Sequence, residues 1–82
     1  HYTDESRILR DKYMEYGLLP PKYIDDAGHV AIASVAGAHY LVSWNFEHLV
    51  KIRTKRLVGL INAMYGYSPI ELVSPYEFGG GE

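Results

Sequence analysis

The 82-residue sequence contains no cysteine, no long apolar run and little net charge. Without cysteine there is neither a disulfide scaffold nor a thiolate metal site, which fits a reducing compartment. A net charge of −2 predicts no general affinity for nucleic acid or membranes, so contact with an anionic polymer must come from a local patch. No apolar run reaches membrane-spanning length, and no segment resembles a signal peptide. We expect a cytoplasmic protein with no membrane partner.

Apolar residues are the abundant class, at 48% of the chain, which favours a globular protein over a disordered one. A chain of this size forms at most one small domain and buries a modest share of its surface. We assign residues 1–78 to that domain and the glycine-rich residues 79–82 to a flexible tail.

The first part of the chain predicts a helix and then an extended connector. Thr3 is a suitable helix cap, acidic residues follow it in the first turn, and Gly17 is a typical stop. The two prolines within residues 18–24 exclude a continuous helix there.

Five tyrosines lie at spacings that favour packing in the core over stacking on bases. They are Tyr13, Tyr16, Tyr40, Tyr65 and Tyr67.

Residues 25–37 predict a buried second helix, because they are acidic at the start and then almost wholly small and apolar. Either Asp25 or Asp26 is expected to cap this helix. His29 lies one turn from Asp26, a spacing at which both side chains could reach one metal ion. We favour a packed, hydrogen-bonded His29, since Mg²⁺ prefers oxygen ligands to imidazole.

Residues 40–43 are short, apolar and uninterrupted, which predicts a parallel strand covered on both faces, and residues 70–73 predict a second strand. A helix is expected between them, from Thr54 to near Gly66, and Asn45 is placed to cap a helical turn at the end of the first strand. One face of the later helix carries apolar residues, namely Leu57, Leu60, Ile61 and Met64. Two strands do not make a self-sufficient parallel sheet. We therefore expect further strands from another segment or from a second copy in a homodimer.

Three segments resemble the PIN domain family, in particular its VapC-like bacterial members. They are residues 26–33 (DAGHVAIA), 40–49 (YLVSWNFEHL) and 66–75 (GYSPIELVSP). The resemblance covers nearly the whole chain, which corresponds to the C-terminal half to two thirds of such a domain. The family's first strand, with its first active-site aspartate, and a later glutamate have no counterpart here. The resemblance implies a Rossmann-like three-layer α/β/α sandwich with a parallel sheet, incomplete in this chain.

The same resemblance implies an endoribonuclease that depends on Mg²⁺ or Mn²⁺. It also implies the role of toxin in a type II pair, with a protein antitoxin as partner. Asp26 matches a metal-binding aspartate, and Ser43 matches a Ser/Thr whose hydroxyl can orient a metal-bound water. Asn45 falls at or beside a position where many members carry Asp. An amide oxygen can bind the ion but brings no charge, so metal affinity should fall unless Glu47 or an upstream carboxylate compensates. Asp25 is left as a cap or an outer-shell group.

A basic cluster follows these residues and consists of Lys51, Arg53, Lys55 and Arg56. It lies at the start of a helix, where the dipole disfavours cations, and this placement indicates an anionic partner such as RNA phosphate. A solvated charged face is the plainer interpretation. Two other functions stay open: a PIN-like binding or scaffold module that has lost catalysis, and a self-associating interaction domain.

Overall fold

The structure, a computed structural model, describes residues 2–42 and 51–75. Within them the chain is mostly helical and carries a small parallel sheet, which confirms a mixed α/β protein. The elements in order are helix α1 (Asp4–Glu15), a 3₁₀ turn (Pro21–Tyr23), helix α2 (Ile24–Val35), strand β1 (Tyr40–Val42), helix α3 (Ile52–Met64) and strand β2 (Glu71–Val73).

Helix α1 begins and ends where the sequence predicts. The Thr3 hydroxyl accepts a 3.1 Å hydrogen bond from the Ser6 backbone N–H, and the Ser6 hydroxyl accepts one of 2.8 Å from the Thr3 backbone N–H. This reciprocal capping box satisfies two donors at the helix start. At the other end Gly17 has a φ of +73°, and the Leu18 N–H donates to the Tyr13 carbonyl at 2.9 Å. This pairing closes the helix in a Schellman arrangement.

The connector after α1 is less extended than predicted, and neither Asp25 nor Asp26 caps α2. Proline favours the first position of a helical turn, and the turn Pro21–Tyr23 leads directly into α2. Helical geometry therefore starts before the two aspartates: Tyr23 is the N-cap residue, and both carboxylates lie in the first turn. The prediction of a helix ending near Gly37 is confirmed, since α2 ends at Val35 and Gly37 has a φ of +78°.

The two strands pair in parallel, with Leu41 opposite Leu72 and Val42 opposite Val73. Leu72 is in the core and Leu41 packs against it, so this side of the sheet faces the helices. On the other side, Tyr40 is 56% and Val42 is 40% exposed. The expectation that the strand at Tyr40 is covered on both faces is therefore wrong for β1, although Val73 of β2, opposite Val42, is only 8% exposed.

The core lies between the three helices and the inner side of the sheet. The predicted apolar face of α3 is only partly right: Ile61 is buried and Leu57 packs against the core, but Leu60 is 62% and Met64 57% exposed. The helix is rotated so that its buried side runs through Thr54, Val58, Ile61 and Asn62. Of the five tyrosines only Tyr13 is fully buried. The largest completely buried side chains include Tyr13, Leu9, Leu18, Ile61, Leu72, Val30 and Val58.

Candidate functional site

The first turns of two helices lie at the same end of the molecule. Tyr23 at the start of α2 and Lys51 and Arg53 at the start of α3 line one groove. Toward the opposite end, Ser34 of α2 accepts a 3.0 Å hydrogen bond from the side-chain amide of Asn62 in α3. The two helices therefore run in the same direction.

Each of these helices leads through a short loop into one strand of the parallel pair. The strands start beside each other, where the Glu71 N–H donates to the His39 carbonyl at 2.9 Å, and they pack back on the helices through Leu41 and Leu72. Their carboxyl ends therefore point toward the starts of α2 and α3. Ligands of open parallel α/β sheets bind beyond the carboxyl ends of the strands. The first turns of α2 and α3 flank the region where such a site is expected.

Asp26 lies in the first turn of α2 and is half-buried. Asp25 beside it is exposed. His29 is also exposed, so the prediction that it packs in the core is wrong. The buried side of α2 consists of Ala27, Gly28, Val30, Ala31 and Ser34. Because successive helical residues are about 100° apart, His29 points away from that side while Asp26 stays at its border.

Ser43 and Asn45, the other two predicted site residues, lie outside the described residues, as does Glu47. The structure therefore places one of the three predicted catalytic residues, Asp26. Asp26 lies at the end of the fold where β1 ends. The last residue of β1, Val42, directly precedes Ser43 in the chain. The expected proximity of Asp26, Ser43 and Asn45 stays a prediction.

The basic cluster divides into two parts. Lys51 and Arg53 are exposed and line a groove of about 320 Å³ together with residues that include Leu19 and Tyr23. The Arg53 guanidinium donates to the Gly17 carbonyl at 3.2 Å, which holds the side chain across from the end of α1. Lys55 and Arg56 are not among the lining residues. The sequence alone does not distinguish the two parts of the cluster, and it does not indicate that Tyr23 lies beside Lys51 and Arg53.

Charge at the start of α3 is unusual for a helix. Its first turn has no acidic residue, and its N-cap residue, Lys51, makes no side-chain capping bond. Helix N-termini carry unsatisfied N–H groups and a partial positive charge. The side-chain cations of Lys51 and Arg53 add to that charge, so this groove is suited to an anion that approaches over an apolar and aromatic floor.

The described residues contain no group of three or more His, Cys, Asp or Glu side chains arranged to hold a metal ion. At the end of the fold where a site is expected, Asp26 offers carboxylate oxygen, which is the donor type that Mg²⁺ and Mn²⁺ prefer. Asp26 thus fits such an ion by its chemistry.

Three side chains that sequence reasoning did not connect form a closed hydrogen-bond ring in the interior. The Tyr13 hydroxyl donates to the Asn62 side-chain oxygen, and the Asn62 nitrogen donates to the Ser34 hydroxyl at 3.0 Å. The Ser34 hydroxyl, 3.2 Å from the Tyr13 oxygen, is left to donate to it. The remaining Asn62 N–H donates to the Ser68 carbonyl at 3.2 Å. Every polar group of the ring thus has a partner.

This ring, Tyr13–Ser34–Asn62, joins one residue from each helix and therefore fixes the helices against one another. Burial raises the pKa of Tyr13 to about 12, because the ionised phenolate would lose its hydration. The phenol therefore stays neutral at physiological pH, and all three side chains of the ring are buried within the core. A sequence signal did exist: Asn62 follows Val58 by four residues on the buried side of α3.

No family model matches the chain, and no curated protein or solved structure is significantly similar to it. Within residues 2–42 and 51–75, every helix is too short or too polar to cross a lipid bilayer.

Proposed function

We propose that this chain forms part of a PIN-like endoribonuclease that hydrolyses RNA with Mg²⁺ or Mn²⁺, on a three-layer α/β/α sandwich. The observation that carries the proposal is the position of Asp26. This half-buried carboxylate lies in the first turn of α2, at the end of the fold toward which two parallel strands run. In such sheets that end is where ligands bind.

A second observation supports an anionic substrate. Lys51 and Arg53 line a groove at the same end as Asp26, where the positive end of the α3 dipole adds to their charge. Phosphate contacts of this kind dominate the affinity of proteins for RNA. Tyr23 also lines this groove, and the Lys22 ammonium lies 5.2 Å from the centroid of its ring, which brings a further cation close to the groove. Acidic and basic parts of the proposed site thus flank one region.

In the proposed mechanism, Asp26 and Asn45 would hold the cation, and the Ser43 hydroxyl would orient the attacking water. A divalent cation in such a site lowers the pKa of bound water and neutralises charge on the phosphate in the transition state. Arg53 and Lys51 bind the neighbouring phosphates of the substrate and keep the strand in place. Arg53 is held for this role by its bond to the Gly17 carbonyl, which uses one of its five N–H donors.

The test is cleavage of a labelled single-stranded RNA by the intact protein in the presence of Mg²⁺ or Mn²⁺. Asp26→Asn keeps the shape of the side chain and removes its charge, so we expect it to abolish cleavage. Asp25→Asn is the matched control: this neighbour lies in the same helical turn but is exposed, and its variant should stay active. Unchanged cleavage by Asp26→Asn would show that Asp26 is only a structural residue.

A binding or scaffold module without catalysis is the second candidate. It is favoured by the lack of a three-residue acidic or histidine cluster among the described residues and by an amide, Asn45, where many PIN proteins carry Asp. This candidate predicts that the wild type binds RNA but does not cut it, and that Asn45→Asp gains metal affinity. A protein antitoxin is a partner that only the ribonuclease proposal implies.

A further inference from the structure

A second groove is formed by α1 and the segment that follows α3. Its volume is about 140 Å³, several times the roughly 30 Å³ that one water occupies in the liquid. Leu9 forms its apolar floor, Tyr65 and Tyr67 line one wall, and Glu5, Ile8 and Lys12 line the other. The groove is therefore large enough to accept an aliphatic side chain.

The face of α1 that lines this groove carries opposite charges on the two sides of an apolar residue. Glu5, Ile8 and Lys12 are three and four residues apart, so they lie on one face of the helix. Ile8, in the middle, is 59% exposed although it is strongly apolar. An acidic residue precedes it and a basic residue follows it at nearly equal distances. When two copies of the helix lie antiparallel, the acidic residue of each copy therefore faces the basic residue of the other.

We propose that this face of α1 is the contact between two copies of the chain. A two-fold axis near Ile8 would set the two α1 helices antiparallel, so that Ile8 of each copy enters the groove of the other. Glu5 of each copy would then face Lys12 of the second copy, which gives two equivalent ion pairs. Such an isologous contact closes a dimer, because the same surface serves both copies.

The hydrogen bonds and ion pairs that these charges make within one chain are compatible with the contact. Glu5 accepts a 2.7 Å hydrogen bond from the Tyr67 hydroxyl, and Lys12 is 3.5 Å from Glu15. A carboxylate accepts up to about four hydrogen bonds and an ammonium donates three, so each group retains capacity for a partner. The bond from Tyr67 also holds Glu5 beside the groove. The dimer contact lies away from Asp26 and goes beyond the proposed ribonuclease function.

The test uses charge reversal, with the molar mass of each sample measured by light scattering during gel filtration over a range of concentrations. Glu5→Lys places a lysine at both charged positions, and Lys12→Glu places a glutamate at both. Each variant alone should dimerise roughly tenfold more weakly or worse, because attraction becomes repulsion at two contacts. A 1:1 mixture of the two variants should recover the dimer, since every contact again joins opposite charges.

Two controls separate the contact from effects on the fold. Lys22→Glu changes the net charge as much as Lys12→Glu does, but at an exposed residue that does not line the groove, so the dimer should persist. Circular dichroism should show equal helix content for all variants, and recovery in the mixture itself excludes misfolding. The proposal is overturned by a monomeric wild type at all concentrations, by a dimer that both reversals leave intact, or by a mixture that stays monomeric.

Discussion

The Tyr13 hydroxyl and the Asn62 side-chain oxygen, 49 residues apart in the chain, are joined by a hydrogen bond where neither residue is exposed. Ser34 completes the ring, so one polar contact holds all three helices. This contact and the apolar core around it hold α2 and α3 in the same direction. The placement of the first turns of α2 and α3 at one end of the fold therefore depends on contacts made further along the helices.

Tyr13→Phe should destabilise the chain by about 1 to 3 kcal/mol, because it leaves the Asn62 oxygen without its donor and the Ser34 O–H without its acceptor in the ring. Urea unfolding monitored by circular dichroism measures this loss. Tyr67→Phe is the matched control, since it also removes one hydroxyl, but from an exposed hydrogen bond, and should cost much less. Equal losses for the two variants would contradict a special role for the buried ring.

Alkaline pH should weaken the fold through Tyr13. Its pKa is about 12 in the folded chain, above the ordinary value of 10.0, so the folded state favours the protonated phenol. The resulting stability is fully present below pH 10 and is lost as the pH rises toward 12. Over that window the free energy of unfolding should fall by about 1.4 kcal/mol per pH unit from this group. In Tyr13→Phe the contribution of Tyr13 to the dependence of the unfolding free energy on pH should be absent. A dependence identical to that of the wild type would refute a raised pKa at Tyr13.

Gly28→Ala should reveal the contact between Tyr2 and α2. A Cβ at Gly28 would overlap the Tyr2 hydroxyl oxygen, so Tyr2 must leave the helix surface. At Gly59 in α3 a Cβ meets nothing within 4 Å, so Gly59→Ala should stabilise the chain by about 0.5 to 1 kcal/mol through helix propensity.

We expect Gly28→Ala to gain less than Gly59→Ala, because the packing of Tyr2 is lost. In a Tyr2→Ala background the two substitutions should become equivalent in urea unfolding. A difference between them that survives the removal of Tyr2 would mean that another group limits space at Gly28.

Arg53 and Arg56 should differ in their contribution to RNA binding, because only Arg53 lines the groove beside Tyr23. Arg53→Ala should weaken binding of a fluorescent single-stranded RNA several-fold and lower the slope of log affinity against log salt by about 0.7, the value for one phosphate contact. Arg56→Ala should change both quantities less. Fluorescence anisotropy at several salt concentrations measures them, and equal effects would indicate a diffuse charged face.

Local signals were sufficient to predict much of the fold. The Thr3 cap, the glycine stops and the two short apolar strands each act within a few residues, so α1, the end of α2 and the parallel pair could be anticipated. The exposure of His29 and Leu60 could not, because it depends on how each helix is rotated against its neighbours. The ring of Tyr13, Ser34 and Asn62 depends on three distant segments meeting, which spacing along the chain does not reveal. At the candidate site, the sequence indicated Asp26 and the basic cluster, but only the structure separated Arg53 from Arg56.

The central claim is that Asp26 holds a divalent cation at the first turn of α2. The most direct measurement is the broadening of backbone amide signals in a ¹⁵N-labelled chain as Mn²⁺ is added, since a bound paramagnetic ion broadens the nuclei around it. If Asp26 holds the ion, broadening should be early and selective at Ala27 and Gly28, retained in Asp25→Asn and lost in Asp26→Asn. Broadening that is unchanged in Asp26→Asn, or that starts elsewhere in the chain, would contradict it.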